Sequence, residues 1–415
     1  MGIRADVLAN YVSAIVAGSV TLLLMPVYAR LMGAQAWGGV ALCLAAQSLI
    51  QLWDLGLSQV VPRDVAQAES SSDPGAHSLH AYGRLYAGIG AVAVVSGLAV
   101  VQWFGSLWVP AMASDGSLQT GMKLAVLCGA LQLMNGLPIA YWNGSGRQVF
   151  AVKRTCSFLL LRGAVILAAL MFLGAGVEVF MWASLCTTGA ECISNLVRFH
   201  RETGALAIRG ARAASVLRII TKNWPISVSI LMGAFVSQAD KMVLPRSISV
   251  EDFGVYAMTL ALGLAFLQLQ YPVMTAMYPR VAVDPRMTLL RRNVGSLLVV
   301  CALPCLVAGV CAPWFLPLYI GEQRDELSLV VTFDLILFSA GLNAVYHAFY
   351  QYMVAAGDGR WIAVANGLSL IWVLSVTLML ASDLGVVAGG LAWAGVSSIQ
   401  LVVAILWWRG RRGRK

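Results

Sequence analysis

The sequence predicts an all-α integral membrane protein with about twelve transmembrane helices in two six-helix lobes. Hydrophobic residues make up 59% of the 415 residues and charged residues only 11%, whereas a soluble domain carries about 25% charged residues. The mean hydropathy is +0.78, and uncharged apolar stretches recur along the whole chain. The few charged residues are also distributed unevenly between alternate loops. Together these observations indicate a multi-pass membrane protein.

The apolar stretches reach the length that a bilayer requires, which is roughly 20 residues for about 30 Å of hydrocarbon. They are expected to be helical, because lipid offers no partners for the backbone groups of an open sheet. The first stretch lacks a small-residue cleavage site and is interpreted as an uncleaved span. The predicted spans are 7–29, 36–60, 81–105, 121–142, 150–172, 176–198, 220–242, 253–278, 293–318, 328–353, 361–381 and 385–408.

The distribution of basic residues predicts the orientation of these spans. With the N-terminus in the cytoplasm, the cytoplasmic segments hold 22 of the 28 lysines and arginines, and the opposite side holds five. The one basic residue left over, Arg162, falls inside a span. Cytoplasmic loops carry an excess of Lys and Arg, so both termini are predicted to be cytoplasmic. The basic tail is expected to contact anionic headgroups, and nucleic acid is not an expected partner.

Short sequence matches at a nearly constant offset predict an internal duplication. A Gly-Arg pair ending at Arg147 recurs at Arg360, 213 residues later, and Trp182 and Trp393 are 211 residues apart. Six spans per half give both halves the same orientation, as in transporters with parallel repeats. Two lobes with a cleft between them favour a carrier that works by alternating access. The predicted domains are an N-terminal lobe (1–198), a basic cytoplasmic linker (199–219), a C-terminal lobe (220–408) and a basic tail (409–415).

Two stretches near the N-terminus carry a family resemblance. The sequence "PVYARLMGAQAWG" (26–38), followed by "LWDLGLSQVVPRDVA" (52–66), resembles the oligosaccharide flippases of the polysaccharide transporter family. These are the Wzx-type or RfbX-like proteins of the multidrug/oligosaccharidyl-lipid/polysaccharide (MOP) exporter superfamily. The resemblance implies movement of undecaprenyl-diphosphate-linked oligosaccharide from the cytoplasmic to the periplasmic leaflet of a bacterial inner membrane.

That activity would serve the synthesis of a surface polysaccharide such as O-antigen, capsule or exopolysaccharide. The implied partners are the lipid-linked oligosaccharide, membrane lipids and other assembly proteins, such as a polymerase and a chain-length regulator. Two alternatives stay open: a cation-coupled drug antiporter of the same superfamily, and a membrane glycan polymerase or ligase. The chain contains no GxxxxGK[ST] motif, so we expect no ATPase, and it contains no HExxH, GxSxG or DxD motif, so we expect neither an enzyme nor a cofactor or metal. Energy could come from an H⁺ or Na⁺ gradient or from consumption of the glycan on the far side.

A diphosphate cargo would need cations along its path, and arginine suits phosphate through its planar fork of donors. An ionisable residue inside a span is a functional hypothesis by default. Arg162 is either one half of a static ion pair with Glu191, since folding spans five and six about residue 175 brings them together, or a contact for the cargo. Arg30 either reaches the membrane surface or lines the cleft. The candidate cargo-binding cations are Arg30, Arg63, Arg84, Arg154 and Arg162.

Four acidic residues are candidates for gating or ion coupling: Asp54, Glu191, Asp240 and Asp334. Asp54 lies near the cytoplasmic end of span two. It is interpreted either as an ion-pair partner of Arg63 or Arg84, or as a gate carboxylate. Asp240 is interpreted either as a coupling residue or as a residue at the periplasmic interface.

Span ten carries a polar stripe formed by Asp334, Asn343, His347 and Gln351. The last three are four residues apart and therefore share one face. Such a face lines either an aqueous cavity or a contact between helices, and a wetted His347 could titrate near neutral pH. Asn343, His347 and Gln351 are accordingly candidates for contact with the cargo.

Overall fold

The computed structural model describes residues 3–70, 76–204, 231–271, 273–274, 277, 281, 287–321 and 326–412. All regular secondary structure within these ranges is helical, which confirms the predicted all-α class. The chain divides into two compact units, Met1–Ala234 and Phe235–Lys415.

The described part of the first unit contains seven helices. Helix α5 is the central one, since it packs against α2, α3, α4 and α7, whereas α1 packs mainly against α6. Glycine permits the close approach of α5 and α2: a Cβ on Gly129 would lie 2.9 Å from Cβ of Ile50. The helices are α1 (Ile3–Met32), α2 (Ala34–Ile50), α3 (Leu57–Ser70), α4 (Ala76–Trp108), α5 (Gly116–Gly144), α6 (Gln148–Phe172) and α7 (Val177–Thr203).

The second unit is arranged around α11, which packs against α9, α10 and α13, while α12 packs against α13. A Cβ on Gly390 of α13 would lie 3.0 Å from the carbonyl oxygen of Thr332, so glycine lets these two backbones approach closely. Helix α10 includes a π-helical turn at Leu298–Ala302. The described helices are α8 (231–243), α9 (Val250–Leu267), α10 (Leu290–Ile320), α11 (Glu326–Ala355), α12 (Gly359–Leu384) and α13 (Val387–Arg412).

Among the described residues, ten helices are long and apolar enough to cross a membrane. The chain is a multi-pass membrane protein, but two of the twelve predicted spans are not among the ten. The sixth predicted span corresponds to α7, which has 27 residues and carries more polar side chains. The seventh, 220–242, lies partly outside the described residues, as does most of the predicted linker 199–219, so these boundaries stay predictions.

The second predicted span, 36–60, is not one continuous helix. Helix α2 ends at Ile50 and is followed by a 3₁₀ turn at Gln51–Asp54. Leu55 and Gly56 then adopt positive φ angles of 50° and 77°, and α3 begins at Leu57. Left-handed residues end a helix, and glycine adopts this conformation at no steric cost. Gly56 therefore forms the turn between two helices.

Candidate functional site

The ion pair predicted inside the membrane is present. Nη2 of Arg162, on α6, donates to Oε2 of Glu191, on α7, at 2.6 Å. The two side chains are only 20% and 8% exposed. Helices α6 and α7 follow each other through a short turn at residues 173–176 and pack together, so side chains at similar distances from the turn meet. This register produces the predicted contact.

The pair is one end of a longer buried network. Nδ2 of Asn135, on α5, donates to Oε1 of Glu191 at 3.1 Å, so both carboxylate oxygens accept a hydrogen bond. Nδ2 of Asn195, on α7, donates to Oδ1 of Asn135 at 2.6 Å. Both asparagines are buried. Three helices of the first unit, α5, α6 and α7, are therefore joined by buried polar contacts.

Arg154, one of the predicted cargo-binding cations, lies at the other end of this network. Its Nε donates to Oδ1 of Asn195 and its Nη2 to Oγ of Ser194, each at 2.6 Å. The guanidinium carbon lies 5.7–5.8 Å from the centroids of three aromatic rings, those of Trp142, Phe150 and Phe158. No carboxylate of the described residues pairs with it. Neutral hydrogen-bond acceptors and aromatic rings thus stabilise the positive charge of Arg154.

A third arginine joins α6 to the end of α7. Nη1 of Arg147 donates to Oε2 of Glu202 at 2.8 Å, and Glu202 also accepts bonds from Trp142 at 2.9 Å and Arg198 at 2.6 Å. Burial acts to raise the pKa of Glu202, but these three hydrogen bonds outweigh it and hold the pKa below its ordinary value. The carboxylate is therefore ionised at neutral pH and fixes the positions of both arginines.

Arg147, Arg154 and Arg162 form what we call the arginine ladder. They are seven and eight residues apart, which corresponds to about 10 and 12 Å along an α-helix. Helix α7 presents Glu202, Asn195 and Glu191 to them in the same order. The middle arginine lacks a carboxylate, and Nε of Arg162 is buried without a hydrogen-bond partner in the described part of the chain. The ladder thus has a positive charge, that of Arg154, which no carboxylate of the described residues neutralises.

Sequence reasoning identified Arg154, Arg162 and Glu191 but missed their neutral partners. The structure adds Asn135, Ser194 and Asn195 to the network. It also shows that Arg147 pairs with Glu202 next to the other contacts between α6 and α7. A signal was present in the sequence: Glu191, Asn195, Arg198 and Glu202 recur at intervals of three and four, which places them on one face of a helix.

Asp54 does not form the ion pair with Arg63 or Arg84 that was one of its two interpretations. Its Oδ1 accepts a hydrogen bond from Tyr86 at 3.1 Å, and its Oδ2 accepts one from the backbone N–H of Ser58 at 3.1 Å. The break after Ile50 explains the difference, because it places the carboxylate at the first turn of α3, where unpaired backbone N–H groups attract it. A gating role for Asp54 stays a prediction.

The other predicted cations of the first unit lie apart from the network. Arg63 pairs with its neighbour Asp64 at 3.1 Å, and Asp64 also accepts a bond from Tyr82 at 2.6 Å. Arg84 is exposed on α4, and Arg30 is exposed in the last turn of α1. The structure therefore brings together Arg154 and Arg162, but not these three, around Glu191.

The polar stripe of span ten contacts protein groups of the second unit. Asn343 accepts a hydrogen bond from Gln270 at 3.2 Å and donates to Gln400 at 3.3 Å. Gln351 donates to the carbonyl oxygen of Met274 at 2.7 Å. Asn343 and Gln351 thus bind the same neighbouring segment, 270–274, which confirms their shared face. These partners favour the helix-contact interpretation over an aqueous cavity.

His347 lies between these two residues on the stripe. Its ring packs against those of Tyr346 and Tyr350, with centroids 5.5 and 5.3 Å away. Its Nδ1 is enclosed and has no hydrogen-bond partner within the described ranges. A proton-coupling role for His347 stays a prediction, as does its contact with cargo.

Asp334 belongs to a different face of α11. Oδ1 of Asp334 lies 3.0 Å from the position that a Cβ on Gly309 of α10 would occupy, and the residue is exposed. Nine residues separate it from Asn343, which is two and a half helical turns and therefore the opposite face. Asp334 is therefore not part of the polar stripe, contrary to the prediction from the sequence.

Asp240 is buried rather than at an exposed interface. It is 1% exposed, and its Oδ2 accepts hydrogen bonds from Tyr256 at 2.5 Å and Trp393 at 3.1 Å. Nζ of Lys241 lies 3.7 Å from its other oxygen. These contacts join α8, α9 and α13, so Asp240 stabilises the packing of the second unit.

Solved structures of membrane transporters share this fold. An inward-facing multidrug resistance MATE-family transporter of the MOP superfamily aligns with a TM-score of 0.71 and 14% identity, over 96% of this chain and 98% of its own. The lipid II flippase MurJ, in an inward closed conformation, aligns with a TM-score of 0.75 and 10% identity, over 98% and 87%. A MOP superfamily transporter from Pyrococcus furiosus aligns with a TM-score of 0.64 and 15% identity, over 98% and 95%.

Sequence comparison identifies the family. No curated protein matches the chain in sequence. The profile of a family described as "Polysaccharide biosynthesis protein" matches residues 3–283, which include the whole arginine ladder and its partners on α5 and α7. Because this match extends over more than half of the chain, the protein belongs to the polysaccharide biosynthesis protein family.

Proposed function

We propose that the protein moves undecaprenyl-diphosphate-linked oligosaccharide from the cytoplasmic to the periplasmic leaflet of the bacterial inner membrane. Membership of a polysaccharide biosynthesis family and a fold shared with a lipid II flippase support this class of cargo. The observation that carries the proposal is the arginine ladder, because it places cations at successive depths along one membrane helix.

The diphosphate would meet Arg154 first. Among the described residues, the guanidinium of Arg154 donates hydrogen bonds to Asn195 and Ser194, which are neutral, so an incoming phosphate adds negative charge without displacing a carboxylate of that part of the chain. Charge-assisted bonds between guanidinium and phosphate are stronger than those to neutral acceptors. Arg154 therefore serves as the entry position for the diphosphate.

Arg162 would be the second position. Here a phosphate has to compete with Glu191 for the guanidinium, because Nε of Arg162 is buried. Protonation of Glu191 would remove that competition and favour binding of the phosphate, and loss of the proton would restore the ion pair and displace the cargo, so an H⁺ gradient could be coupled to the cargo at this position. We propose Glu191 as the coupling carboxylate on this ground.

A test of the class of cargo is complementation of a bacterial strain that lacks its own O-antigen-type flippase. We expect the wild-type gene to restore surface polysaccharide in at least one of several glycan backgrounds. Glu191→Gln should abolish restoration at a normal protein level, because a neutral amide cannot exchange a proton. Failure of the wild type in every background, together with new resistance to a cationic drug, would identify a drug antiporter instead.

A further inference from the structure

A cleft lies at one end of the second unit, where α12 begins and α13 ends. Its volume is about 650 Å³, within the size range of small-molecule sites. Asp358, Arg360, Trp361, Trp407 and Arg411 line it. The charge distribution of the loops assigns this end to the cytoplasmic membrane surface, since Arg360 and the basic tail lie on the side that holds most lysines and arginines.

Both arginines of the cleft have N–H donors without an acceptor among the described residues. Arg360 is exposed and forms no ion pair or hydrogen bond within the described residues. Nε of Arg411 lies 3.9 Å from Oδ2 of Asp358, and its guanidinium carbon lies 5.4 Å from the Trp407 ring centroid. Trp407 donates to the same carboxylate oxygen at 2.7 Å. Arg411 thus lies close to Asp358 through Nε and packs on the Trp407 ring, while its terminal nitrogens form no hydrogen bond with the described residues.

The two Gly-Arg pairs differ in their acidic partners. Arg147 of the first unit is neutralised by Glu202, near the end of α7. The segment that ends α13, "RGRRGRK", contains no acidic residue and adds further positive charge. Among the described residues, Asp358 is the one carboxylate that lines the cleft, and it is already bound to Trp407 and close to Arg411. Within the same residues, Arg360 therefore lacks the counter-charge that Arg147 has.

We propose that this cleft binds the headgroup of an anionic phospholipid from the cytoplasmic leaflet, with the phosphate between Arg360 and Arg411. The planar fork of arginine matches phosphate oxygens. Trp361 is 39% exposed beside Arg360, and tryptophan side chains favour the boundary between headgroups and acyl chains. The site is separate from the arginine ladder and does not depend on which cargo the protein carries.

Native mass spectrometry of the full-length protein in mild detergent tests this proposal. Phosphatidylglycerol and phosphatidylcholine are titrated separately, and the bound fractions are compared. We expect preferential binding of phosphatidylglycerol, and roughly fivefold weaker binding in Arg360→Gln and in Arg411→Gln, the factor expected for one basic residue near an anionic lipid. Arg409→Gln is the matched control, because it removes the same charge from the same end of α13 but lies outside the cleft.

Three results would overturn the proposal. An equal loss in Arg409→Gln would mean that the tail attracts anionic lipid without a defined site. Displacement of phosphatidylglycerol by inorganic phosphate at similar concentration would indicate a site for free phosphate. Displacement by undecaprenyl diphosphate at much lower concentration would assign the cleft to the cargo. Thermal unfolding without added lipid should be unchanged in Arg360→Gln, since this side chain forms no ion pair or hydrogen bond with the part of the chain that the structure describes.

Discussion

Glu191→Leu is expected to destabilise the protein by about 3–5 kcal/mol, the usual cost of removing one partner of a buried ion pair. The change leaves Arg162 charged and buried, and arginine cannot lose its proton in a protein. Arg162→Leu is expected to cost less, because the remaining Glu191 can take up a proton and become neutral. Thermal unfolding of the purified protein and its level in membranes would show this order.

The double variant Arg162→Leu/Glu191→Leu separates stability from transport. Replacing a buried ion pair by apolar residues is often neutral or stabilising, so we expect thermal stability close to that of the wild type. Transport should nevertheless be lost, because a ladder position for the diphosphate has been removed. A stable double variant that still restores surface polysaccharide would show that the pair only supports packing.

Arg154→Gln is expected to abolish transport with little effect on folding. The glutamine can keep one of the two bonds to Asn195 and Ser194, so the stability loss should be about 1 kcal/mol, the net value of an ordinary hydrogen bond. The positive charge that would attract the diphosphate is lost completely. Surface polysaccharide in the complemented strain, measured at equal protein level, provides the readout.

Lys153→Gln is the matched control for this change. Lys153 is the preceding residue on α6, is exposed and forms no ion pair within the described residues. The Lys153→Gln variant loses the same charge but keeps every contact of the network, so transport by this variant should stay near the wild-type level. Equal losses in both variants would point to general surface charge rather than to a specific position for phosphate.

The sequence was sufficient to predict contacts that follow from regular geometry. Arg162 and Glu191 lie on consecutive helices joined by a short turn, so counting residues from residue 175 predicts their meeting. The repeated distance of four residues likewise predicts the shared face of Asn343 and Gln351. Both predictions are confirmed because an unbroken helix has a fixed rise and turn per residue.

Other features depend on local conformations that the sequence does not reveal. The helix break at Leu55 and Gly56 interrupts an apolar stretch, and it moves Asp54 to the start of α3. Asn135 reaches Glu191 from α5, a helix whose position relative to α6 and α7 depends on packing across many residues. An interfacial position was one of the two interpretations of Asp240, yet Tyr256 and Trp393 enclose its carboxylate.

Direct binding of undecaprenyl diphosphate to the purified full-length protein tests the role of the arginine ladder most directly. We expect wild type and Lys153→Gln to bind with equal affinity. Binding by Arg154→Gln should be about tenfold to hundredfold weaker, because a hydrogen bond to a charged group contributes about 1.5–3 kcal/mol. Equal binding by all three proteins would contradict the claim that the ladder receives the diphosphate.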